Sequence, residues 1–124
     1  MDINQDLPDN FYDQSILNYK EGTSNLKDHL PKVTQQYMDF TDACFEAGTI
    51  GEKEKQLIAL GISIYAQDEY CIIYHSKGAV EHGATEEEVA ETIGVSTALG
   101  GGAAFAQGVT LAMESFHHYT NKLH

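Results

Sequence analysis

The sequence predicts an all-α protein that folds as one domain over residues 1–124 and contains five to six helices. Apolar residues recur at steps of three and four through most of the chain, which is the spacing of one helix face. Two segments, Thr49–Glu52 and Thr85–Glu88, have the pattern of a helix capping box. A length of 124 residues suits a single domain with its own core.

The first third of the chain predicts two helices that form an N-terminal helical extension over residues 10–48. Residues 1–9 are polar and are expected to be flexible. A short helix is predicted to end near Gly22, with its apolar face made of Phe11, Tyr12, Ile16 and Tyr19. A second, core-facing helix is predicted between Pro31 and Gly48, with a stripe made of Leu30, Val33, Tyr37, Phe40 and Cys44. Cys44 is therefore expected to be a buried structural residue.

The middle of the chain predicts two helices packed against each other. After the Thr49–Glu52 motif, the segment 56–66 is apolar nearly all round, so this helix should lie at the centre of the packing. Gly61 would let a neighbouring helix approach closely. The next helix is expected to start at Asp68, a suitable N-cap, and to stop at Gly83.

The last third predicts two further helices separated by a glycine run. Thr85 and Glu88 should cap the first, whose inward residues are expected to be Val89, Ala90, Ile93 and Thr97. The run Gly100–Gly102 indicates a helix break or close backbone packing, since a nucleotide loop would need a preceding strand and a Lys-Ser/Thr pair. The final stripe comprises Phe105, Val109, Ala112, Phe116, Tyr119 and Leu123.

Composition argues against several partners. The net charge is −12, with seven lysines and no arginine, which disfavours nucleic acid and anionic membranes. The longest apolar run, residues 57–66, is too short to span a bilayer, and the polar N-terminus shows no signal peptide. Two cysteines are too few for a disulfide framework. A cytoplasmic location is expected.

Cys71 and His75 are the candidate reactive pair. Residues four apart lie on the same helix face, and Cys71 falls in the first turn, where the helix dipole favours a thiolate. A thiol and an imidazole in this arrangement can act as nucleophile and proton acceptor. A core cysteine beside a satisfied histidine is the alternative. Cys71 is expected to be the reactive thiol and Cys44 the inert one.

The other histidines are expected to be surface residues. His82 lies near the end of the same helix, and His117 and His118 lie in the last turns of the chain, with Glu114 four residues before His118. Zinc binding by Cys71, His75 and His82 is disfavoured, because Cys71 and His82 would lie about 16 Å apart along the helix axis.

These motifs together resemble the carboxymuconolactone decarboxylase / alkylhydroperoxidase AhpD-like family. The resemblance covers residues 50–116 and consists of Cys71-x3-His75, Ala79, the segment Gly83–Glu88 and the later glycine run. It implies an AhpD-like helical fold, a homo-trimer or homo-hexamer, and chemistry without metal or cofactor.

The resemblance also implies a site made of Cys71, His75, Gln56 and Asp68. In peroxidase-type members two cysteines form the redox couple and a glutamate relays protons; here Asp68 replaces the first cysteine and Gln56 replaces the glutamate. Without a second cysteine, a sulfenic acid on Cys71 would need an external thiol. Gln56 cannot exchange a proton, and Asp68 opposes thiolate formation.

Three functions follow as expectations. The first is a thiol-dependent oxidoreductase of the alkylhydroperoxidase type, which uses Cys71 and His75 on a small organic hydroperoxide with an external thiol reductant. The second is a decarboxylase-like enzyme in which His75 performs acid–base chemistry on a small lactone. The absence of arginine counts against the second, because arginine would hold a substrate carboxylate. The third is a non-enzymatic oligomeric binding protein with a decayed site.

Overall fold

The computed structural model describes residues 3–123, which form an all-α domain and contain no strand. The helices are α1 (Ile3–His29), α2 (Pro31–Phe45), α3 (Glu52–Ala66), α4 (Glu69–Glu81), α5 (Glu86–Gln107) and α6 (Met113–Leu123), with a π-helical segment, Gly108–Ala112, between α5 and α6. The predicted fold class is confirmed. Met1, Asp2 and His124 lie outside the described residues, and the flexibility of residues 1–9 stays a prediction.

The prediction that the first helix ends near Gly22 is wrong, because α1 continues to His29. A glycine inside a helix costs only about 1 kcal/mol relative to alanine, which packing against α2 and α4 can offset. The chain bends instead at Leu30, whose φ of −133° and ψ of 66° are not helical. The cause is Pro31, because a proline ring clashes with a helical conformation of the preceding residue.

The core lies where α3, α4 and α5 meet, and α6 closes it from the side of α4. Leu60, Ile64, Ile72 and Val89 have no exposed surface, and Gly61 brings α3 close to α5 as expected. The Ser96 hydroxyl donates a hydrogen bond to the Gly61 carbonyl at 3.0 Å. The prediction that α3 is central is thus correct for one side of this helix only. Its other side exposes Ile58, Ile62 and Tyr65.

The predicted core-facing stripe of α2 is not buried in the single chain. Phe40 is 65% exposed, and Leu30, Val33 and Tyr37 are about equally open. Cys44 is exposed as well, so its assignment as a buried structural residue is wrong. Helix α2 packs mainly on α1 and touches α3 only slightly, so none of the helices described covers the stripe. The buried residue of α2 is Thr34.

Two of the three predicted side-chain caps are confirmed. Thr85 and Glu88 form the expected capping box, with hydrogen bonds of 3.1 and 2.9 Å. Asp68 caps α4 by accepting a hydrogen bond from the Cys71 N–H at 3.2 Å. The prediction of a capping box at Thr49–Glu52 is wrong, because α3 starts at Glu52 and its N-cap residue, Gly51, forms no side-chain hydrogen bond. The preceding loop is held instead by Lys55, which donates to two carbonyl oxygens, those of Cys44 and Glu46.

The glycine run both breaks the helix and packs closely. Gly101 has a φ of 69° and a ψ of −151°, a conformation that interrupts α5. A Cβ atom on Gly100 would lie 2.8 Å from the Ala104 Cβ and 3.1 Å from the Tyr65 ring. Among the other inward positions predicted for α5, Val89 and Ile93 are buried, Thr97 is partly buried, and Ala90 is exposed.

The predicted final stripe is only half buried. Ala112, Phe116 and Tyr119 lie in the core, whereas Phe105, Val109 and Leu123 are exposed. For Phe105 and Val109 the reason is the π-helical segment, because its wider turn rotates the apolar face between α5 and α6, whereas Leu123 is the last residue of α6.

The end of α4 shows why Gly83 must be glycine. Its φ is 83°, and its N–H and that of Ala84 bond to the carbonyls of Val80 and Ala79, which is a Schellman motif. No atom lies within 4 Å of the position a Cβ would occupy, so only the backbone conformation resists a larger residue.

We expect Gly83→Ala to lower the free energy of unfolding by about 1 kcal/mol, because an L-residue is disfavoured at positive φ. Gly94→Ala is the matched control. Gly94 also has open space around it but lies inside α5 without a positive φ, so this change should raise the stability by roughly 0.5–1 kcal/mol. Urea denaturation of both variants measures the difference, and equal effects would contradict the assignment.

Candidate functional site

The site begins with a hydrogen bond between α3 and α4. His75 Nδ1 and Gln56 Oε1 lie 2.9 Å apart, and Gln56 is only 9% exposed. Because an amide oxygen can only accept, this contact places the imidazole proton on Nδ1 and leaves a lone pair on Nε2. The described residues provide no hydrogen-bond partner for Nε2. His75 is therefore oriented like a base whose second nitrogen is held by a positioning residue.

Gly78 makes the His75–Gln56 contact sterically feasible. It is a buried residue inside α4, and a Cβ atom at this position would lie 2.2 Å from Gln56 Oε1. The Gln56 side chain therefore occupies the space that any other residue at position 78 would fill. This role was not predicted from the sequence, where the available signal was a glycine within a helix, three residues after His75, with no turn to explain it.

Two aromatic side chains contact the His75 ring. Phe45 stacks on it with ring centroids 5.3 Å apart, and Tyr74 contacts it edge-on at 5.2 Å. Burial lowers the pKa of His75 to about 4, and the negative charge of Asp68 offsets only part of this effect. The imidazole is thus neutral at pH 7. Phe45 comes from the end of α2, and only the tertiary structure brings it here.

Cys71 is paired with Asp68 and not with His75. Burial, followed by the hydrogen bond and charge of Asp68, raises the pKa of the Cys71 thiol to about 11. The effect of Asp68 agrees with the opposition to thiolate formation expected from the sequence, and burial, which the sequence did not indicate, is the larger cause. Within residues 11–123 no hydrogen bond joins Cys71 to His75. The four predicted residues form two pairs, His75 with Gln56 and Cys71 with Asp68.

A row of tyrosines borders Cys71. Tyr19 of α1 and Tyr70 of α4 stack in parallel with centroids 4.1 Å apart, and Tyr70 contacts Tyr74 at 5.7 Å. Burial raises the pKa of Tyr70 well above its usual range, and the nearby tyrosines and Cys71 add to this effect. The Tyr70 hydroxyl therefore stays protonated. None of these tyrosines was predicted to belong to the site, although Tyr70 and Tyr74 each precede a predicted site residue.

His82, His117 and His118 lie away from this site. His82 caps the end of α4 and contacts Glu52 at 3.1 Å, and His117 pairs with Glu86. His118 is not the surface residue that was predicted: its side chain is 7% exposed and approaches Asp13 of α1 at 3.4 Å. The described residues contain no cluster of three or more metal-ligating side chains. None of the helices within 3–123 is long and apolar enough to cross a membrane.

Burial of a neutral histidine makes stability depend on pH. In the unfolded chain His75 should titrate near its ordinary pKa of about 6.5, whereas in the folded protein its pKa is about 4. Between these values the unfolded state binds more protons, so stability is complete above pH 6.5 and falls as the pH decreases toward 4.

We expect the parent to lose about 2 kcal/mol more stability than His75→Gln between neutral pH and pH 4, after a discount for the partial exposure of the ring. Urea titrations of both proteins at several pH values measure this difference. His82, His117 and His118 are present in both proteins, so their contributions to the pH dependence of stability do not affect the difference. Parallel pH profiles would show that His75 is not buried in neutral form.

The two thiols should react in the reverse of the order that the sequence indicates. Cys44 is exposed, while Cys71 is partly buried with a raised pKa. Because the thiolate is the reactive form, iodoacetamide should alkylate Cys44 at least about tenfold faster at mildly alkaline pH. Mass-mapped labelling measures both rates, and Asp68→Asn should accelerate Cys71 alone. Faster labelling of Cys71 in the parent would refute the raised pKa.

Comparison with known proteins agrees with the resemblance found in the sequence. Residues 31–114 match the model of the carboxymuconolactone decarboxylase family, so the match includes α2. An uncharacterized protein of the cox locus of Paracoccus denitrificans is 34% identical over 74 residues, which are 60% of this chain and 67% of that protein. An uncharacterized protein of Cupriavidus necator is 26% identical over 72 residues, 58% of this chain and 64% of its own length.

The fold has a solved counterpart. The crystal structure of a carboxymuconolactone decarboxylase family protein from Legionella pneumophila superimposes with a TM-score of 0.85, covers 90% of this chain and 98% of that chain, and is 24% identical. This likeness concerns the fold alone. The family match extends over 84 of the 124 residues, from the start of α2 to the start of α6. The chain belongs to the carboxymuconolactone decarboxylase family.

Proposed function

We propose that this protein is a proton-transfer enzyme in which His75 Nε2 acts as the general base. The observation that carries the proposal is the 2.9 Å contact between His75 Nδ1 and Gln56 Oε1. It holds the imidazole in one orientation and one tautomer, as a general base requires. Because the pKa of His75 is about 4, nearly every molecule has the base in its unprotonated form at neutral pH.

The reaction we infer is removal of a proton from the carbon next to a carbonyl. The Nε2 lone pair takes the proton, the C–H bond breaks, and its electron pair moves onto the carbonyl oxygen as an enolate. The resulting imidazolium then returns the proton to the same carbon or to a conjugated one. The negative charge of the enolate would raise the pKa of His75 during this step. We propose Cys71 or Tyr70, which are both protonated and lie on the same helix as His75, as the donor of a hydrogen bond to the enolate oxygen.

The substrate we propose is a small, uncharged lactone or related carbonyl compound. The chain contains no arginine, and Lys55, which lies close to α2, already donates to the carbonyls of Cys44 and Glu46. Asp68 adds a negative charge beside Cys71, which would repel a carboxylate. Aromatic rings from Phe45 and Tyr74 instead favour an apolar ring.

Thiol-dependent reduction of hydroperoxides is the second candidate, because Cys71 is a free, partly accessible cysteine. Its thiolate would attack the O–O bond, release an alcohol and become a sulfenic acid, which an external thiol would convert to a mixed disulfide and water. The raised pKa of Cys71 makes this reaction slow. Asp68→Cys combined with Gln56→Glu would add the second sulfur and a proton-exchanging carboxyl group, and should increase peroxide turnover.

We also propose that the protein forms a homo-oligomer, a trimer or hexamer, as its resemblance implies. In addition to the α2 stripe, α3 and α5 form an apolar groove of about 560 Å³, and its members Ile62, Val95 and Leu99 are 62–77% exposed. A contiguous apolar surface of this kind is typical of protein interfaces. Light scattering that shows only a 13.7 kDa species at micromolar concentration would contradict this proposal.

Deuterium exchange tests the proton-transfer function directly. The probe is α-angelica lactone in deuterium oxide, and proton NMR measures loss of the signal next to its carbonyl. We expect the parent to catalyse exchange and His75→Gln to reduce the rate by about 100-fold or more, the usual contribution of a general base. Cys71→Ser should retain the rate within about threefold, because a hydroxyl can still donate a hydrogen bond.

Two controls separate this function from the thiol mechanism. Gln56→Glu places a carboxylate beside His75 and should raise its pKa, which moves the acidic limb of the exchange profile to higher pH. Reduction of cumene hydroperoxide with dithiothreitol is measured in the same variants. Loss of both reactions in Cys71→Ser, with His75→Gln unaffected, would exclude the proton-transfer proposal and favour the thiol mechanism.

A further inference from the structure

Lys55 is the polar link between α3 and the end of α2. Its Nζ atom donates hydrogen bonds to the Cys44 carbonyl at 2.9 Å and to the Glu46 carbonyl at 2.6 Å. Between the described residues, no other side chain forms a hydrogen bond that joins α3 to the segment 31–50. Because the two helices otherwise touch only slightly, the polar attachment of α2 to α3 comes from this one side chain.

The chemistry of the contact is that of a helix C-terminus. The last carbonyls of a helix have no partner within the helix and carry partial negative charge, which a cation stabilises. Helix α2 has no basic residue in its last turn, so α3 supplies the cation. Lys53, Lys77 and Lys122 pair with carboxylates, whereas Lys55 donates to two backbone carbonyls. Its ammonium group therefore fixes a piece of backbone.

The two carbonyls belong to the residues on either side of Phe45. The Phe45 ring stacks on His75 with centroids 5.3 Å apart and an angle of 13° between the planes, and both side chains are partly buried. On α3, the residue after Lys55 is Gln56, which contacts His75 Nδ1 at 2.9 Å. Two consecutive residues of α3 thus act on one imidazole. Gln56 contacts its edge directly, and Lys55 holds the backbone that brings Phe45 to its face.

We propose that Lys55 is a positioning residue for His75: it holds the end of α2 so that the Phe45 ring stays on one face of the imidazole and keeps water away from it. The role in catalysis rests on the proposed function, in which His75 is the base. Burial is the main cause that lowers the pKa of His75, so loss of the Phe45 contact would raise this pKa.

The groups around His75 allow this role to be separated from a direct effect of charge. From α4, Asp68 is the charged group that acts on the imidazole, and Tyr74 contacts the ring. The side chains from α2 and α3 that contact the ring, a phenylalanine and a glutamine, do not titrate. A direct effect of the Lys55 charge on His75 would not need Phe45, whereas an effect through the position of α2 would.

NMR of the imidazole signals of the full chain over a pH series tests the role. Lys55→Met keeps an apolar side chain of similar length and removes the ammonium group. We expect it to raise the pKa of His75 from about 4 to about 5 or higher, a tenfold change in proton affinity. Lys55→Arg can still donate to both carbonyls and should preserve the parent pKa. Lys53→Met is the matched control, because Lys53 lies on the same helix but pairs with Glu88 of α5.

Phe45→Ala provides an independent variant and completes a double-mutant cycle. This change alone should also raise the pKa of His75. Addition of Lys55→Met to it should cause little further rise, because the side chain through which Lys55 acts is then missing. An unchanged pKa in Lys55→Met would overturn the proposal. A rise of the same size in the parent and in the Phe45→Ala background would also overturn it, since Lys55 would then act by its charge alone.

The titration needs no substrate, so its result is independent of the proton-transfer reaction. Deuterium exchange that persists in His75→Gln would remove the proposed function and would leave the link from Lys55 to His75 in place. If both hold, Lys55→Met should move the acidic limb of the exchange profile to higher pH by the same amount as the pKa measured by NMR. A shifted pKa with an unmoved limb would show that Lys55 has no role in catalysis.

Discussion

The contact between Gln56 of α3 and His75 of α4 requires two helices to approach more closely than ordinary side chains permit. Gly78 provides the space, since a Cβ at this position would overlap the Gln56 amide. The turn between the helices sets the orientation of α4 relative to α3. In this turn Gln67 adopts a left-handed φ of 57°, and Asp68 then caps the start of α4. A left-handed non-glycine residue is unfavourable and persists only where the surrounding structure compensates for it. The imidazole orientation therefore depends on backbone features several residues away from the ring.

In the first turn of α4, the helix dipole and two opposing effects compete to set the pKa of Cys71. The helix dipole favours an anion at Cys71, by typically less than about 1 kcal/mol at an exposed position. Desolvation of a thiolate and the neighbouring Asp68 carboxylate oppose it, and together they raise the pKa of Cys71 to about 11. The same carboxylate caps the helix by accepting the Cys71 N–H. Asp68 thus stabilises the helix and at the same time disfavours the thiolate, a combination that suits a protonated Cys71.

The distribution of apolar side chains divides the surface into two kinds of region. The α3–α5 groove is apolar and open, and it exposes Ile62, Val95 and Leu99, as is typical of a protein–protein interface. A smaller cavity of about 430 Å³ lies between α1 and α2 beside the exposed stripe of α2, and the unpaired hydroxyl of Thr34 is closed off behind it.

Local sequence determined the features that depend on neighbours along the chain. The all-α class, the capping box at Thr85, the N-cap at Asp68 and the break at Gly100–Gly102 all follow from short-range hydrogen bonds and backbone conformations, and all are confirmed. The residues of the site were named for the same reason, since a family motif is a local pattern. The failures also have a local origin: Gly22 resembles a helix end, and Thr49 resembles a cap, until packing decides otherwise.

Tertiary structure decided which faces are buried and which groups are paired. Helical spacing shows that one face of α2 is apolar, but only the positions of α1 and α3 show that this face is uncovered in the single chain. Spacing places Cys71 and His75 on one helix face, yet Gln56, Phe45 and Gly78 determine the protonation and orientation of the imidazole. Burial and pKa shifts arise from groups far apart in the sequence, and a pattern of neighbours along the chain contains no information about their distance in space.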